Sequence, residues 1–281
     1  MTKIILLCIL LVGGGVAALW RKREKWSGHI SSFVGQVIRE ASPLEGTVDL
    51  AETDGLPEPV KRYFHQALKD RLPLISQAYL VQQGGFRIKP EAARWAKLSA
   101  RQAFSSKPRA FVWDATIAVA PGVSVRVCDV YQNGTGAMKA ALFSMVPLVD
   151  IEGGREINQG ALMRYLAEAV WFPTMLLPSQ GVVWEDIGEN RARATVTDTG
   201  NTVSLEFSFN DEGEIVSVYS PARYREVNGA YIPTPWEGRF ADYTEVNGYR
   251  VPIEAEVAWH LPDGVFSYWR AMIVEIHYRM G

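Results

Sequence analysis

Residues 202–209 read Thr202-Val203-Ser204-Leu205-Glu206-Phe207-Ser208-Phe209, a strict alternation of polar and apolar side chains. Successive side chains of an extended strand point to opposite faces, so Val203, Leu205, Phe207 and Phe209 share one face and their polar neighbours the other. The stretch therefore reads as a half-buried strand with one wet face. Val251, Ile253, Ala255, Val257 and Trp259, set against Pro252, Glu254, Glu256 and His260, repeat the pattern. Further runs at 110–120, 124–132, 136–146, 182–187, 192–198, 214–219, 223–227, 236–245 and 265–278 follow. Between the runs stand Pro121-Gly122, Asn133-Gly134, Asp211-Glu212-Gly213, Asn228-Gly229, Asn247-Gly248 and Asp263-Gly264. Asn-Gly and Asp-Gly adopt positive φ at little cost, as tight hairpins require, and such short links join antiparallel neighbours only. The expected fold is mainly β (α+β): one large curved antiparallel sheet, or half-open barrel, of about eleven strands.

One interruption breaks the series. Residues 158–178 read helical in their first half, with Leu162, Tyr165, Leu166 and Ala169 on one stripe, and apolar but broken by Pro173 and Pro178 in their second. Inserted into a meander, this helix is expected on the concave face of the sheet. N-terminal helices precede the strands. Trp26, Ile30, Phe33, Val34, Val37 and Ile38 recur at helical spacing, and Leu56-Pro57-Glu58-Pro59 opens a helix whose stripe is Val60, Tyr63, Phe64, Ala67 and Leu68. The expected organisation is a membrane anchor with a basic flank (1–25), a juxtamembrane helix and linker (26–55), and a single β-rich domain (56–281).

Composition narrows the class. The 281 residues are 48% apolar, 11% aromatic and 21% charged, enough for a large core. Residues 26–281 carry 24 basic and 30 acidic side chains, and an acidic body has no long-range attraction for nucleic acid. Cys8 and Cys128 are too far apart in sequence and setting to suggest a zinc or redox pair.

From Ile4 to Trp20 seventeen residues carry no charge, about 25 Å as a helix, which with snorkelling flanks suffices to cross a bilayer. Arg21, Lys22, Arg23 and Lys25 follow it and Lys3 precedes it. That count places the globular body on the cytoplasmic side of a single-pass membrane protein, an extracytoplasmic body being the less favoured alternative.

Familiar catalytic, nucleotide-binding and metal-binding signatures are missing from the sequence, so no cofactor and no metal is expected. Arg164 and Glu168 stand one helical turn apart, with Trp171 following. On a solvated face they are an ordinary ion pair; tucked inside a curled sheet they become candidates to hold a ligand's head group. Asp129 and Tyr131 share a strand face and complete the candidate set with Trp113 and Trp236, two aromatics able to line a pocket.

The ordered series Leu56-Pro57-x-Pro59-Val60-x-Arg62-Tyr63, Phe111-x-Trp113, Asp129-x-Tyr131-x-x-Gly134-x-Gly136, Arg164-Tyr165-Leu166-Ala167-Glu168-x-x-Trp171-Phe172-Pro173-Thr174 and Thr234-Pro235-Trp236-x-Gly238 resembles a bacterial family of uncharacterised proteins. The resemblance runs from Leu56 to the C-terminus and implies no activity. At the level of fold, the strand count and inserted helix are similar to the LolA-like lipoprotein carriers, whose curved sheet wraps helices and shelters acyl chains. That likeness implies a concave face open to a lipid.

The expectation is thus a membrane-anchored binding module for an apolar ligand, such as a lipid or acyl chain. Two alternatives stand beside it. One is an enzyme using Glu168 with Arg164 and Asp129, whose carboxyls divide acid and base work; the other is a membrane-tethered scaffold for a protein partner.

Overall fold

The computed structural model describes residues 21, 24, 26–91 and 94–281. Strands take up 56% of the described residues. In chain order the elements are α1 (26–40), α2 (Glu58–Ala67), β1 (Ile75–Phe86), β2 (Ala96–Ser105), β3 (Ala110–Ala120), β4 (Val123–Gln132), β5 (Thr135–Leu142), β6 (Val146–Glu152) and α3 (Arg155–Glu168). A second series follows: β7 (Val182–Gly188), β8 (Arg191–Asp198), β9 (Asn201–Phe209), β10 (Ile215–Val227), β11 (Ala230–Val246), β12 (Tyr249–Leu261) and β13 (Gly264–Met280).

All thirteen strands form one antiparallel sheet in the order β6-β5-β4-β3-β2-β1-β13-β12-β11-β10-β9-β8-β7. Every neighbour is a sequence neighbour except at the centre, where β1 pairs β13. The sheet is therefore two meanders joined along one seam. It remains open, with β6 and β7 as its edges.

The sheet curls until its wings touch. Tyr131 of β4 donates to Asp198 at the end of β8, 2.7 Å away, and Asn201 donates to the Gly134 carbonyl at 2.8 Å. Gly134 sits at φ +78°, and a Cβ there would lie 2.6 Å from that of Thr199, so only glycine lets the two turns meet. α3 runs through the curl and packs on β4 and β5 of one wing and on β9 and β10 of the other.

Behind α3 the chain continues as three short 3-10 turns over residues 169–180, two of them opened by Pro173 and Pro178. Trp171, Phe172 and Leu176 are fully buried there. Phe172 packs on Phe104 at 4.6 Å between ring centroids, and Trp171 meets Phe240 edge-on at 6.2 Å. α2 covers the same end, with Tyr63 against Phe209 and Phe64 against Trp184. One end of the curl is thus plugged with side chains.

The convex face is covered in part by α1. Ile30 and Val37 are buried against Val112, Cys128 and Val130, with Trp26, Phe33 and Val34 packed around them. The expected placement as a single-pass membrane protein with a cytoplasmic body is corrected here. No helix among the described residues is long and apolar enough to cross a membrane. The expected span, Ile4 to Trp20, lies outside the described residues. The apolar face of α1 packs on the protein's own sheet.

Candidate functional site

Register places the site. Gln102 of β2 lies opposite Trp113 of β3, which lies opposite Asp129 of β4, so three side chains form one rung on the concave face. From above, α3 presents Arg164 and Glu168 to the same rung. The Arg164 Nε donates to Glu168 Oε1 at 2.9 Å and its Nη1 to Asp129 Oδ2 at 2.6 Å. The guanidinium lies 4.8 Å from the Trp113 ring and 5.1 Å from the Phe111 ring. Two carboxylates and two aromatic faces hold one cation.

A line of hydrogen bonds leads into this triad. The Trp113 indole donates to Gln82 Oε1 (2.8 Å), Gln82 Nε2 to Gln102 Oε1 (2.9 Å), and Gln102 Nε2 to Glu168 Oε2 (2.7 Å). Each amide accepts from one side and donates to the other, which fixes its orientation. Burial pushes the Asp129 carboxyl up, against the pull of Arg164 and Arg223, and pushes Glu168 up, against Arg164 and Gln102. Protons are favoured on both acids more than in water.

The opposite wing brings a second cluster. Arg223 of β10 lies 4.7 Å from the Trp236 ring and 5.7 Å from the Trp259 ring, and donates to the Gly160 carbonyl of α3 at 3.2 Å. The Trp236 indole donates to the Tyr268 hydroxyl at 3.1 Å, and Tyr268 stacks on Trp259. Both clusters reach α3, one through Arg164 itself and the other through the Gly160 carbonyl.

The ion triad is accessible. The Arg164, Asp129 and Glu168 side chains keep 16%, 24% and 12% of their surface open to solvent although each lies deep between sheet and helix. Accessibility also rises along the strands away from the plugged end. Tyr131 is buried while Asp129, Val127 and Val125 on the same face are half-buried; Ile117 is buried and Val119 half-buried. Phe86, Ala96, Val257 and Trp259 continue this half-buried apolar wall. The arrangement is a partly exposed ion triad on the concave face with aromatic and half-buried aliphatic side chains beside it.

A family model described as a family of unknown function, DUF6920, matches residues 54–278. The chain belongs to this family. The whole site lies inside the matched stretch. A search of curated proteins finds no match. Among solved structures the chain is similar to a domain described as an outer membrane lipoprotein-sorting protein from Vibrio parahaemolyticus. There the TM-score is 0.42 at 10% identity, covering 73% of this chain and 86% of that one. It is also similar to a LolA superfamily protein from Nitrosomonas europaea, with TM-score 0.38 at 10% identity, covering 79% and 92%. Both are likenesses of chain path.

Within this family member, Arg164, Glu168, Asp129 and Trp113 come together, and Trp236 joins them across the curl through Arg223 and α3. Tyr131 points instead to Asp198 and ties the wings, and Trp171 is fully buried with its indole donating to the Pro252 carbonyl at 3.1 Å. Sequence reasoning missed Gln82, Gln102, Arg223 and Tyr268. The two glutamines carried a usable signal: each falls among apolar neighbours on the inward face of a strand. Among the described residues no three His, Cys, Asp or Glu side chains group as metal ligands.

Proposed function

We propose that this protein is a binding module for an amphiphilic, largely apolar ligand such as a lipid or acyl chain. The apolar part lies along the half-buried wall, and the polar end meets the rung of Arg164, Asp129 and Glu168. One observation carries the reading: an ion triad deep in the fold that keeps open surface beside an apolar wall. A buried structural triad offsets its desolvation only when its remaining lone pairs are hydrogen-bonded; here Asp129 Oδ1 is buried without a hydrogen-bond partner. Each buried methylene is worth about 0.8 kcal/mol. About ten of them give roughly 8 kcal/mol gross, of which association consumes at least about 4, so a micromolar affinity, about −8 kcal/mol net, needs head-group contacts as well.

The whole chain, incubated with a total lipid extract and purified again, is expected to carry a stoichiometric amphiphile identifiable by mass spectrometry. Its tryptophan emission is expected to change on titration with fatty acids. A protein that returns empty from every lipid class, with unchanged emission, overturns the reading.

A catalytic reading draws on one observation, that two carboxyl groups raised by burial converge on one guanidinium. It requires the recovered ligand to be chemically altered in a way that Glu168→Gln abolishes. An unaltered ligand removes it.

A further inference from the structure

The two cations beside α3 on the concave face are compensated very differently. Arg164 is held by two carboxylates. Arg223 has no carboxylate at ion-pair distance among the described residues; its polar contact is the Gly160 carbonyl, and its Nε is buried without a partner. Arg225, two residues on and on the same face of β10, also has no ion pair among the described residues and also keeps a buried, unpartnered Nε. Both side chains are half-buried, beyond the bulge between Ser220 and Arg223. Asp129 senses Arg223, but its hydrogen bond goes to Arg164.

Desolvating a guanidinium is unfavourable unless negative charge compensates it, and the faces of Trp236 and Trp259 do so only in part. Taken together, Arg164, Arg223 and Arg225 against Asp129 and Glu168 leave one positive charge in excess with both acids ionised, and more with either protonated. A single anion completes the balance. The guanidinium presents parallel donors that match the oxygens of carboxylate or phosphate. We propose that Arg223, with Arg225 beside it, receives an oxyanion on the ligand's head group, so that the protein selects anionic amphiphiles over neutral or cationic ones. This rests on the concave-face binding reading above and adds the ligand's charge to it.

The test titrates the whole chain, followed by tryptophan fluorescence below micelle-forming concentrations. The ligands are hexadecanoate, hexadecyl phosphate, hexadecanol and hexadecyltrimethylammonium, with inorganic phosphate alongside. The anionic chains are expected to bind about tenfold or more tighter than the alcohol, and the ammonium weakest. Arg223→Gln is expected to erase the difference between anion and alcohol, and Arg223→Lys to keep most of it. Equal affinity for anion and alcohol, or a difference that survives Arg223→Gln, overturns the proposal while leaving the binding reading intact. No binding of any chain overturns both. Inorganic phosphate binding as tightly as hexadecyl phosphate assigns the site to a free oxyanion and overturns the amphiphile. The contrast between ligands is read on the unaltered protein, so it stands even where Arg223→Gln does not fold.

Discussion

Tyr131 of β4 donates its hydroxyl hydrogen to Asp198 of β8 at 2.7 Å, joining strands from opposite wings of the sheet. Asp198 also faces Arg109 at 3.8 Å, so it keeps a cation when the phenol is lost. Tyr131→Phe is expected to cost about 1.5–3 kcal/mol, the worth of a hydrogen bond to a charged acceptor. Chemical denaturation measures it, and an unchanged midpoint would show that the other ties between the wings, α3 and the Asn201–Gly134 hydrogen bond, suffice without it.

Removing Arg164 strands two carboxyl groups in the interior. Arg164→Met is expected to destabilise by about 3–5 kcal/mol. Adding Asp129→Asn and Glu168→Gln is expected to recover much of that loss, because the uncompensated charges go with it. Thermal melts of the single and triple variants decide the point; a triple variant no better than the single contradicts the electrostatic account.

The same two acids shape the response to pH. A carboxyl whose folded pKa is raised holds its proton more tightly in the folded state. Its contribution is full below the unfolded value and declines as pH rises through the folded value. Asp129 and Glu168 are both raised, by burial first. Glu237 runs the other way: despite burial, Arg239 and His260 hold it below the usual carboxylate range. Carboxyl-carbon NMR titration is expected to place Asp129 and Glu168 above their ordinary values of 3.8 and 4.5 and Glu237 below 4.5. As pH rises from about 4, the unfolded carboxylate value, the Asp129→Asn/Glu168→Gln variant is expected to lose less stability than the unaltered chain.

A glycine sets how closely α3 approaches the sheet. At Gly136 a Cβ would lie 2.6 Å from the Ile157 carbonyl oxygen and 2.9 Å from the Ala161 Cβ. Gly136→Ala is expected to lift α3 off β5, cost about 1–3 kcal/mol, and weaken amphiphile binding by moving Arg164. At Gly160, inside α3, a Cβ meets open space, and Gly160→Ala is expected to gain up to about 1 kcal/mol. Equilibrium unfolding of both variants, with fatty-acid titration of the first, checks the pair.

Cys128 lies under α1, where burial pushes its thiol up to about 12. The thiolate is the reactive form. In a Cys8→Ser background the folded protein is expected to resist an aromatic disulfide reagent at mildly alkaline pH and to react fully in denaturant. Rapid labelling of the folded protein would show that α1 leaves the sheet readily.

What the sequence disclosed depended on where each side chain's surroundings came from. Val203, Leu205, Phe207 and Phe209 are buried and their neighbours are not, so alternation spelled out β9. β1 and β2 escaped as separate strands because Gln77, Gln82 and Gln102 are buried polar residues that blur the pattern. β6 escaped because it is an edge strand with Val146 and Leu148 exposed, leaving no burial for the sequence to encode. Residues 214–219 and 223–227 read as two strands around Pro221, yet they form one strand with a bulge between. Arg164 and Glu168 were visible through their helical spacing, and Asp129 through its strand face. Arg223 was not, since its partners Trp236, Trp259 and Gly160 come from two other strands and from α3, gathered only by the curl.

The seam between β1 and β13 has a consequence for biosynthesis. β1 leaves the ribosome early and can pair with β2 at once, but its other edge stays bare until Gly264–Met280 has been translated. Each meander accumulates through local hairpins, whereas β13 stitches them together by pairing with a strand that begins at Ile75, a slow class of contact. Until then the nascent polypeptide exposes raw strand edges of the sort that chaperones shield.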